Sequence, residues 1–408
     1  MPLDRVSSVL QAQVAELEAK GTAKGAEKVV VEVRPPEGER GPRFLLAGQG
    51  TREFMRMNSN SYLGMGLRPA VVQAEGSGSE RFGAGPGAVR FISGTYAPHL
   101  ELEQRLARFH GREAAMVLSS AYATVVSVIV PLITAETIVI SDALNHNSII
   151  NAIRLSRPLD KAVYPHLDLA GLEAELEKAT GKAKRVVVIT DGIFSMRGDH
   201  APIDRILAIA RRWDERFPEG VVVIMDDSHG VGAFGRTGRG TEEYTGAPPA
   251  DVLVGTLGKA FGVNGGYVAS SAPVIRFLRE TSPMYIYSNP ITPGEATAAL
   301  RALDILEGDL GIELLERLRA LTRRFKDGLV RLGFETLPGE HPVVPLVVRD
   351  TARTRALVTH LFDHGILATG LAFPVVPRGD DEIRFQINAD HTEGDVDFAL
   401  ETLSQFGG

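Results

Sequence analysis

Short, continuous apolar runs recur along the chain, separated by longer amphipathic stretches. AAMVLSS (114–120), TIVISD (137–142), RVVVITDG (185–192), VVVIMDD (221–227) and VLVGT (252–256) are β-branched and lack polar alternation. Strands of that kind are buried on both faces, as in parallel sheets covered by helices. HLELEQRLARFH (99–110) and APIDRILAIARRWDERF (201–217) instead carry apolar residues at helical spacing. The alternation predicts an α/β fold. GGYVASS follows VLVGT too closely for a helical crossover, so that pair is predicted antiparallel.

The N-terminal stretch places Val6, Leu10, Val14 and Leu17 at helical spacing, and a Pro/Gly-rich passage follows at 35–51. From about residue 296 the pattern changes to long helices with fewer strands, VVPLVVR (343–349) and EIRFQINA (382–389). The expected organisation is an N-terminal helix with short strands (1–58), a large α/β domain (59–295) and a small α+β domain (296–408).

Composition narrows the chemistry. The chain has 408 residues, a net charge of −7 and no long basic block, which speaks against nucleic acid or an anionic membrane as partner. The absence of cysteine excludes disulfides, thiolate zinc sites and a cysteine nucleophile. No segment has the continuous apolar core of a signal peptide or a membrane span, so the expectation is a cytoplasmic enzyme.

Ligands of open α/β sheets bind beyond the carboxyl ends of the strands, and the polar residues fall there. Ser119 and Ser120 end one run, and Asp142 with His146 another. Asp191 with Ser195, Asp226 with His229, and Thr256 with Lys259 follow in turn. Gly258-Lys259 is not a Walker loop, because the glycine spacing is wrong and Ala260 stands where a hydroxyl would hold magnesium. GAGPGA (83–88) is interrupted by Pro86, and no strand run leads into it, so a dinucleotide fingerprint is not expected. Asp226 and His229 lack a matching third ligand, so no metal site is expected.

A lysine on a short glycine loop at a strand end can form a Schiff base. Pyridoxal 5'-phosphate (PLP) needs such a lysine, an acid for its ring nitrogen and donors for its phosphate. Lys259 and Asp226 suit the first two needs, with Asp227 expected to cap the following turn. His229 is placed to reach the ring oxygen or the substrate. The helix start after Ser119-Ser120-Ala121-Tyr122 offers free N–H groups to an anion, and Thr256 can add a hydroxyl. His146 can stack on a ring or serve only as a helix-start residue.

Six motifs resemble the α-oxoamine synthases: SNSYLGM (59–65), VRFISGTYAPHLELE (89–103), SDALNHNSII (141–150), TDGIFSMRGD (190–199), MDDSHGVGAFGRTGRG (225–240) and TLGKAFG around Lys259. The resemblance implies a PLP-dependent homodimer of fold type I with a mostly parallel seven-stranded sheet and active sites at the subunit interface. The implied reaction joins a small amino acid to an acyl-CoA, or another acyl thioester. Lys259 then resembles the Schiff-base lysine and proton-transfer group, Asp226 the ring-nitrogen partner and His229 the histidine at the ring hydroxyl. His146 resembles the stacking histidine, which also faces the substrate, and Ser195 a serine beside it. Phosphate would be held at Ser120, Ala121, Tyr122 and Thr256, and by Ser288 reaching across from the neighbouring subunit. Asn60 and Arg384 match groups that hold the amino-acid carboxylate, and a guanidinium fork suits a carboxylate on its own physics.

GTYAPHLELE, FPVVPRG (373–379) and IRFQINADHT are most like the glycine-using, glycine C-acetyltransferase branch. The other readings are 8-amino-7-oxononanoate, 5-aminolevulinate or long-chain, serine-using synthases, a PLP aminotransferase, and a binding protein with a decayed site. One departure stands out. Thr124-Val125 replaces the usual Ala-Asn pair, which predicts an altered pocket floor.

Overall fold

A computed structural model describes residues 2–20, 22–23, 25–373 and 375–407. Pro374 of the FPVVPRG run lies outside the described residues. The N-terminal part comprises helix α1 (Pro2–Ala19) and strands β1 (Val30–Arg34), β2 (Arg43–Leu46) and β3 (Glu53–Arg56). Helices α2 (Pro69–Phe82) and α3 (Ala97–Phe109) lead into the central unit. There β4 (Ala114–Leu118), α4 (Ala121–Leu132), β5 (Thr137–Asp142), α5 (Asn147–Ser156), β6 (Asp160–Tyr164) and α6 (Leu169–Ala179) come first. β7 (Arg185–Asp191), α7 (Ile203–Trp213), β8 (Val221–Asp226), α8 (Thr241–Thr245), β9 (Val252–Thr256) and β10 (Gly266–Ser270) complete it.

These strands form one seven-stranded sheet in the order β4-β10-β9-β8-β7-β5-β6. The five strands from β9 to β6 pair parallel, whereas β10 pairs antiparallel with both β9 and β4. AAMVLSS therefore runs in the direction expected of it, but as an edge strand bonded to an antiparallel neighbour. The other edge, β6, carries no continuous apolar run (DKAVY, largely exposed), which is why its pattern does not announce a strand.

The period of two along each strand explains the two-sided burial. Ile138, Ile140, Val186 and Val188 face α6 and α7 in one apolar cluster, while Val139, Val187 and Ile189 face α4 and α5 in another. Fully buried strands of this kind leave the polar residues only at the strand ends. GAGPGA follows α2 directly, with no strand before it.

Past the sheet the chain runs through α9 (Ala272–Thr281), α10 (Pro283–Ile286), α11 (Pro293–Glu307) and α12 (Asp309–Arg331). It ends with β11 (Glu335–Thr336), β12 (Val343–Val347), α13 (Thr351–Asp363), β13 (Ile366–Leu367), β14 (Thr369–Leu371), β15 (Glu382–Gln386) and α14 (Glu393–Ser404). A four-stranded sheet, β11-β12-β15-β14, carries Arg384 at its centre. β13 pairs parallel with β3, so the N-terminal strands are stitched to the C-terminal part. The buried Arg43–Asp395 ion pair, at 2.5 Å, fastens the same junction.

The apolar positions of α1 are exposed: Leu3, Val6, Leu10, Val14 and Leu17 are each about half or more accessible in the single chain. No helix among the described residues is long and apolar enough to cross a membrane.

Candidate active site

Lys259 lies three residues past β9, in the loop that turns the chain into β10. Gly262 adopts φ +71° there, and a Cβ on it would fall 2.2 Å from the Gly66 nitrogen, so only glycine allows this approach. Thr256 Oγ1 donates to the Gly265 carbonyl at 3.2 Å and accepts the Gly258 N–H at 3.1 Å, tying the loop together. The loop thus holds the lysine over the end of the sheet.

The amine projects into a small cavity of about 50 Å³. Ala121, Tyr122, His146, Ser195, Asp226 and His229 line it, so seven of the sequence-predicted residues meet at one place. Register explains why. Asp191 stands opposite Asp226 on adjacent parallel strands, and both end at the same edge. Asp226 Oδ1 accepts the Ser228 N–H and hydroxyl at 3.1 and 2.6 Å, so Asp226 itself caps the turn. Asp227, expected to do so, instead accepts the Thr241 N–H and hydroxyl, at 2.7 and 2.6 Å. Burial raises Asp227 to about 7 despite those donors.

His146 is both a helix-start residue and a wall of the cavity. Its Nδ1 accepts the Ser148 N–H at 3.2 Å, and its own N–H donates to Asp191 Oδ2 at 3.0 Å. Ser120 caps α4 through a bond from Ala123 N at 3.1 Å. The Ala121 and Tyr122 N–H groups are left at the helix start, and a Cβ on Gly266 would come within 2.6 Å of Ala121. Thr124 and Val125 do not line the cavity. Thr124 donates back to the Ser120 carbonyl, and Val125 packs under the sheet. The expected change in the pocket floor is thus not found at this cavity.

Arg384 reaches the site from β15, its Nη1 donating to the Ser195 carbonyl at 3.1 Å. Its Nε is buried without a partner. The Asn60 side-chain oxygen lies 3.4 Å from the Tyr62 hydroxyl, beside the site rather than in the cavity wall. Ser288 is half-buried and does not line the cavity of the single chain; its neighbour Tyr287 is 79% exposed.

Burial lowers Lys259 to about 8, although Asp226 and then Asp191 pull it upward. Burial and the charge of Lys259 hold His229 well below its ordinary value, so it is neutral. Burial and the neighbouring Asp226 push Asp191 well above the carboxylate range.

Two residues absent from the sequence-based site belong to it. Tyr62 Oη lies 2.7 Å from His229 Nδ1, and His341 Nε2 donates to the His229 carbonyl at 2.9 Å. Tyr62 sits inside the SNSYLGM motif, but only the folded chain brings it to a histidine 167 residues away. His341 has no motif at all.

The donor set fits PLP. The Lys259 amine makes no hydrogen bond or ion pair, and Asp226 Oδ2, His146 Nε2, His229 Nε2 and Arg384 Nε are each unpaired, among the described residues. An amine, a carboxylate, two imidazoles and a guanidinium thus converge with open valences beside a helix start. No group of three or more His, Asp or Glu placed to hold a metal occurs among the described residues.

Comparison with known proteins agrees with this set. Residues 52–403 match the family of class I and II aminotransferases. An 8-amino-7-oxononanoate synthase of Symbiobacterium thermophilum is 40% identical over 368 residues, covering 90% of this chain and 91% of that protein. The mitochondrial 2-amino-3-ketobutyrate coenzyme A ligase of Homo sapiens is 36% identical over 407 residues, covering 99% and 93%. A structure of a lysine-to-alanine variant of serine palmitoyltransferase from S. paucimobilis, with a bound PLP–myriocin aldimine, superposes with a TM-score of 0.87 at 26% identity, covering 97% and 96%. With a family model spanning most of the chain and relatives of this kind along nearly its whole length, this chain belongs to the class I and II aminotransferase family, and within it to the PLP-dependent, fold-type-I α-oxoamine synthases.

Proposed function

We propose that this enzyme condenses a small amino acid, glycine first, with an acyl-CoA thioester, releasing CoA and a 2-amino-3-oxo product in the manner of glycine C-acetyltransferase. The observation that carries the reading is a free, buried Lys259 amine in the cavity with the unpartnered Nε of Arg384 behind Ser195, near enough for the guanidinium charge to act on the amine. A carboxylate on Arg384 sets the amino acid's α-carbon toward the lysine.

PLP, when bound, supplies an aldehyde carbon and an electron-withdrawing ring. Lys259 would hold that carbon, Asp226 Oδ2 the ring nitrogen, His229 the ring oxygen, and His146 one ring face. The Ala121 and Tyr122 N–H groups at the start of α4, helped by Ser120 and Thr256, suit the phosphate. Arg384 and Asn60 grip the substrate carboxylate, and Ser195 stays beside it through its carbonyl bond to Arg384. With a value of about 8, roughly one Lys259 amine in ten is neutral at pH 7, ready to take the α-proton.

The exposed apolar stripe of α1 and the exposed Phe91, Ile92 and Tyr287 support a homodimer. In such a dimer Ser288 would complete the partner's phosphate site. The long alignment with 2-amino-3-ketobutyrate coenzyme A ligase supports the glycine reading. A second reading, 8-amino-7-oxononanoate synthesis from alanine, is favoured by the 40% identity with enzymes of that name.

The test mixes glycine, alanine or serine with acyl-CoAs of graded length and follows CoA thiol release. Glycine with a short acyl-CoA is expected to be fastest. Preference for alanine selects the second reading, and no thiol release with any pair overturns both.

A further inference from the structure

Arg56 ends β3 as a half-buried cation with no anion to answer it. Its guanidinium lies 4.2 Å over the Phe44 ring and makes no hydrogen bond or ion pair among the described residues. Comparable arginines are matched: Arg43 meets Asp395, Arg68 meets Asp390, Arg90 meets Glu103 and Arg112 meets Glu242. Guanidinium does not shed its proton in proteins, so the charge persists where burial opposes it. A ring face offsets such a charge less than an anion does.

The group borders a separate cavity of about 200 Å³, walled by Ser61, Gly64, Gly262, Asn388 and Asp390. Asp390, the acid in that wall, is already taken by Arg68 at 3.2 Å. His391 does not compete either. Its Nδ1 accepts the Asn388 N–H at 3.2 Å, so its Nε2 donates to the Arg56 carbonyl at 3.3 Å, and burial keeps it neutral at about 4. The cavity therefore holds one uncompensated positive charge.

Its walls are chain neighbours of the proposed substrate groups. Ser61 follows Asn60, Gly262 is three residues past Lys259, and Asn388 is four past Arg384. The volume is below the roughly 300–1,000 Å³ of sites that take drug-sized ligands. It admits a carboxylate-ended chain or a single phosphate, not a nucleotide.

We propose that the Arg56 cavity is an anion subsite that receives one anionic group, a carboxylate or a phosphate, of the acyl donor. The assignment rests on the acyl-thioester reading above, and deepens it by naming a determinant of donor choice. A carboxylate source would be the far end of a dicarboxylic acyl chain; a phosphate source would be the carrier of the thioester.

The experiment compares holoenzyme with Arg56→Gln and Arg56→Lys, using succinyl-CoA and butyryl-CoA, which share chain length and differ in the terminal carboxylate. Calorimetric titration with succinate and with inorganic phosphate supplies a readout independent of turnover. If the anion is the acyl carboxylate, Arg56→Gln raises KM for succinyl-CoA at least tenfold more than for butyryl-CoA, abolishes succinate heat, and Arg56→Lys restores part of both. If it is the carrier phosphate, KM rises equally for both donors and phosphate heat is lost. Unchanged KM values with anion heats equal in wild type and Arg56→Gln overturn the subsite. Absence of thiol release alongside Arg56-dependent anion heat overturns the acyl-thioester reading and keeps the anion site.

Discussion

Tyr62 Oη lies 2.7 Å from His229 Nδ1, both buried, so the phenol decides which imidazole nitrogen faces the cavity. Burial pushes the Tyr62 hydroxyl above its ordinary range, so it keeps its proton and donates. His229 is neutral and accepts at Nδ1, which leaves the proton on Nε2, toward the cavity. Tyr62→Phe removes the donor and strands a buried nitrogen, at a cost of ~1–3 kcal/mol. The expected result is a lower melting midpoint and a turnover loss of about tenfold, with PLP content per chain unchanged. Equal turnover in the variant refutes the tautomer argument.

Lys259 and Asp226 make a second test. Asp226 is the strongest group raising the lysine, so Asp226→Asn lowers it below about 8. The rate at which PLP-free protein takes up PLP should rise with pH through about 8 in the wild type. In Asp226→Asn the midpoint should move to lower pH, while the final complex is weakened. Lys259→Ala should show neither the visible band of bound cofactor nor any thiol release. Retention of that band in the lysine variant rules out Lys259 as the anchor.

His166 connects the end of β5 to the loop bearing Ser195. It lies 2.9 Å from Asp142 and 3.2 Å from Asp199. Burial alone lowers it, but the hydrogen bonds to Asp142 and Asp199 outweigh that and raise it to about 9. A value raised on folding means that the native state holds the proton more tightly. Its stabilising contribution is therefore full below about 6.5 and disappears as pH climbs through about 9. Urea unfolding measured from pH 6 to 10 should show this loss, and His166→Asn should flatten it. An unchanged slope in the variant contradicts the assignment.

The α1 stripe gives a test of assembly. Leu10→Asp with Val14→Asp puts charge on an exposed apolar face that folding of the single chain does not need. Sedimentation should show a shift from dimer toward monomer at unchanged helix content. If Ser288 serves the partner's phosphate, the monomer also loses affinity for PLP. A wild type that sediments as a monomer refutes the proposed dimer.

The repeating pattern of apolar runs and amphipathic stretches already determined the α/β architecture, the antiparallel β9–β10 pair and the strand ends where Lys259, Asp226, His229 and His146 collect. Those features are local: burial on both faces leaves polar residues only at strand termini, so position along the run reports position in the site. β6 was not legible because an edge strand keeps solvent on its outer side and needs no apolar run. Tyr62, His341 and the Arg56 cavity were not legible for another reason. Their meaning depends on contacts with segments far away in the chain, such as Tyr62 on His229 and Arg56 beside Asn388. Asp226 and Asp227 show the same limit at close range. Alternation along β8 separates the two side chains, but Thr241, brought near by the turn, decides that Asp227 anchors a loop while Asp226 caps the turn and keeps one oxygen free.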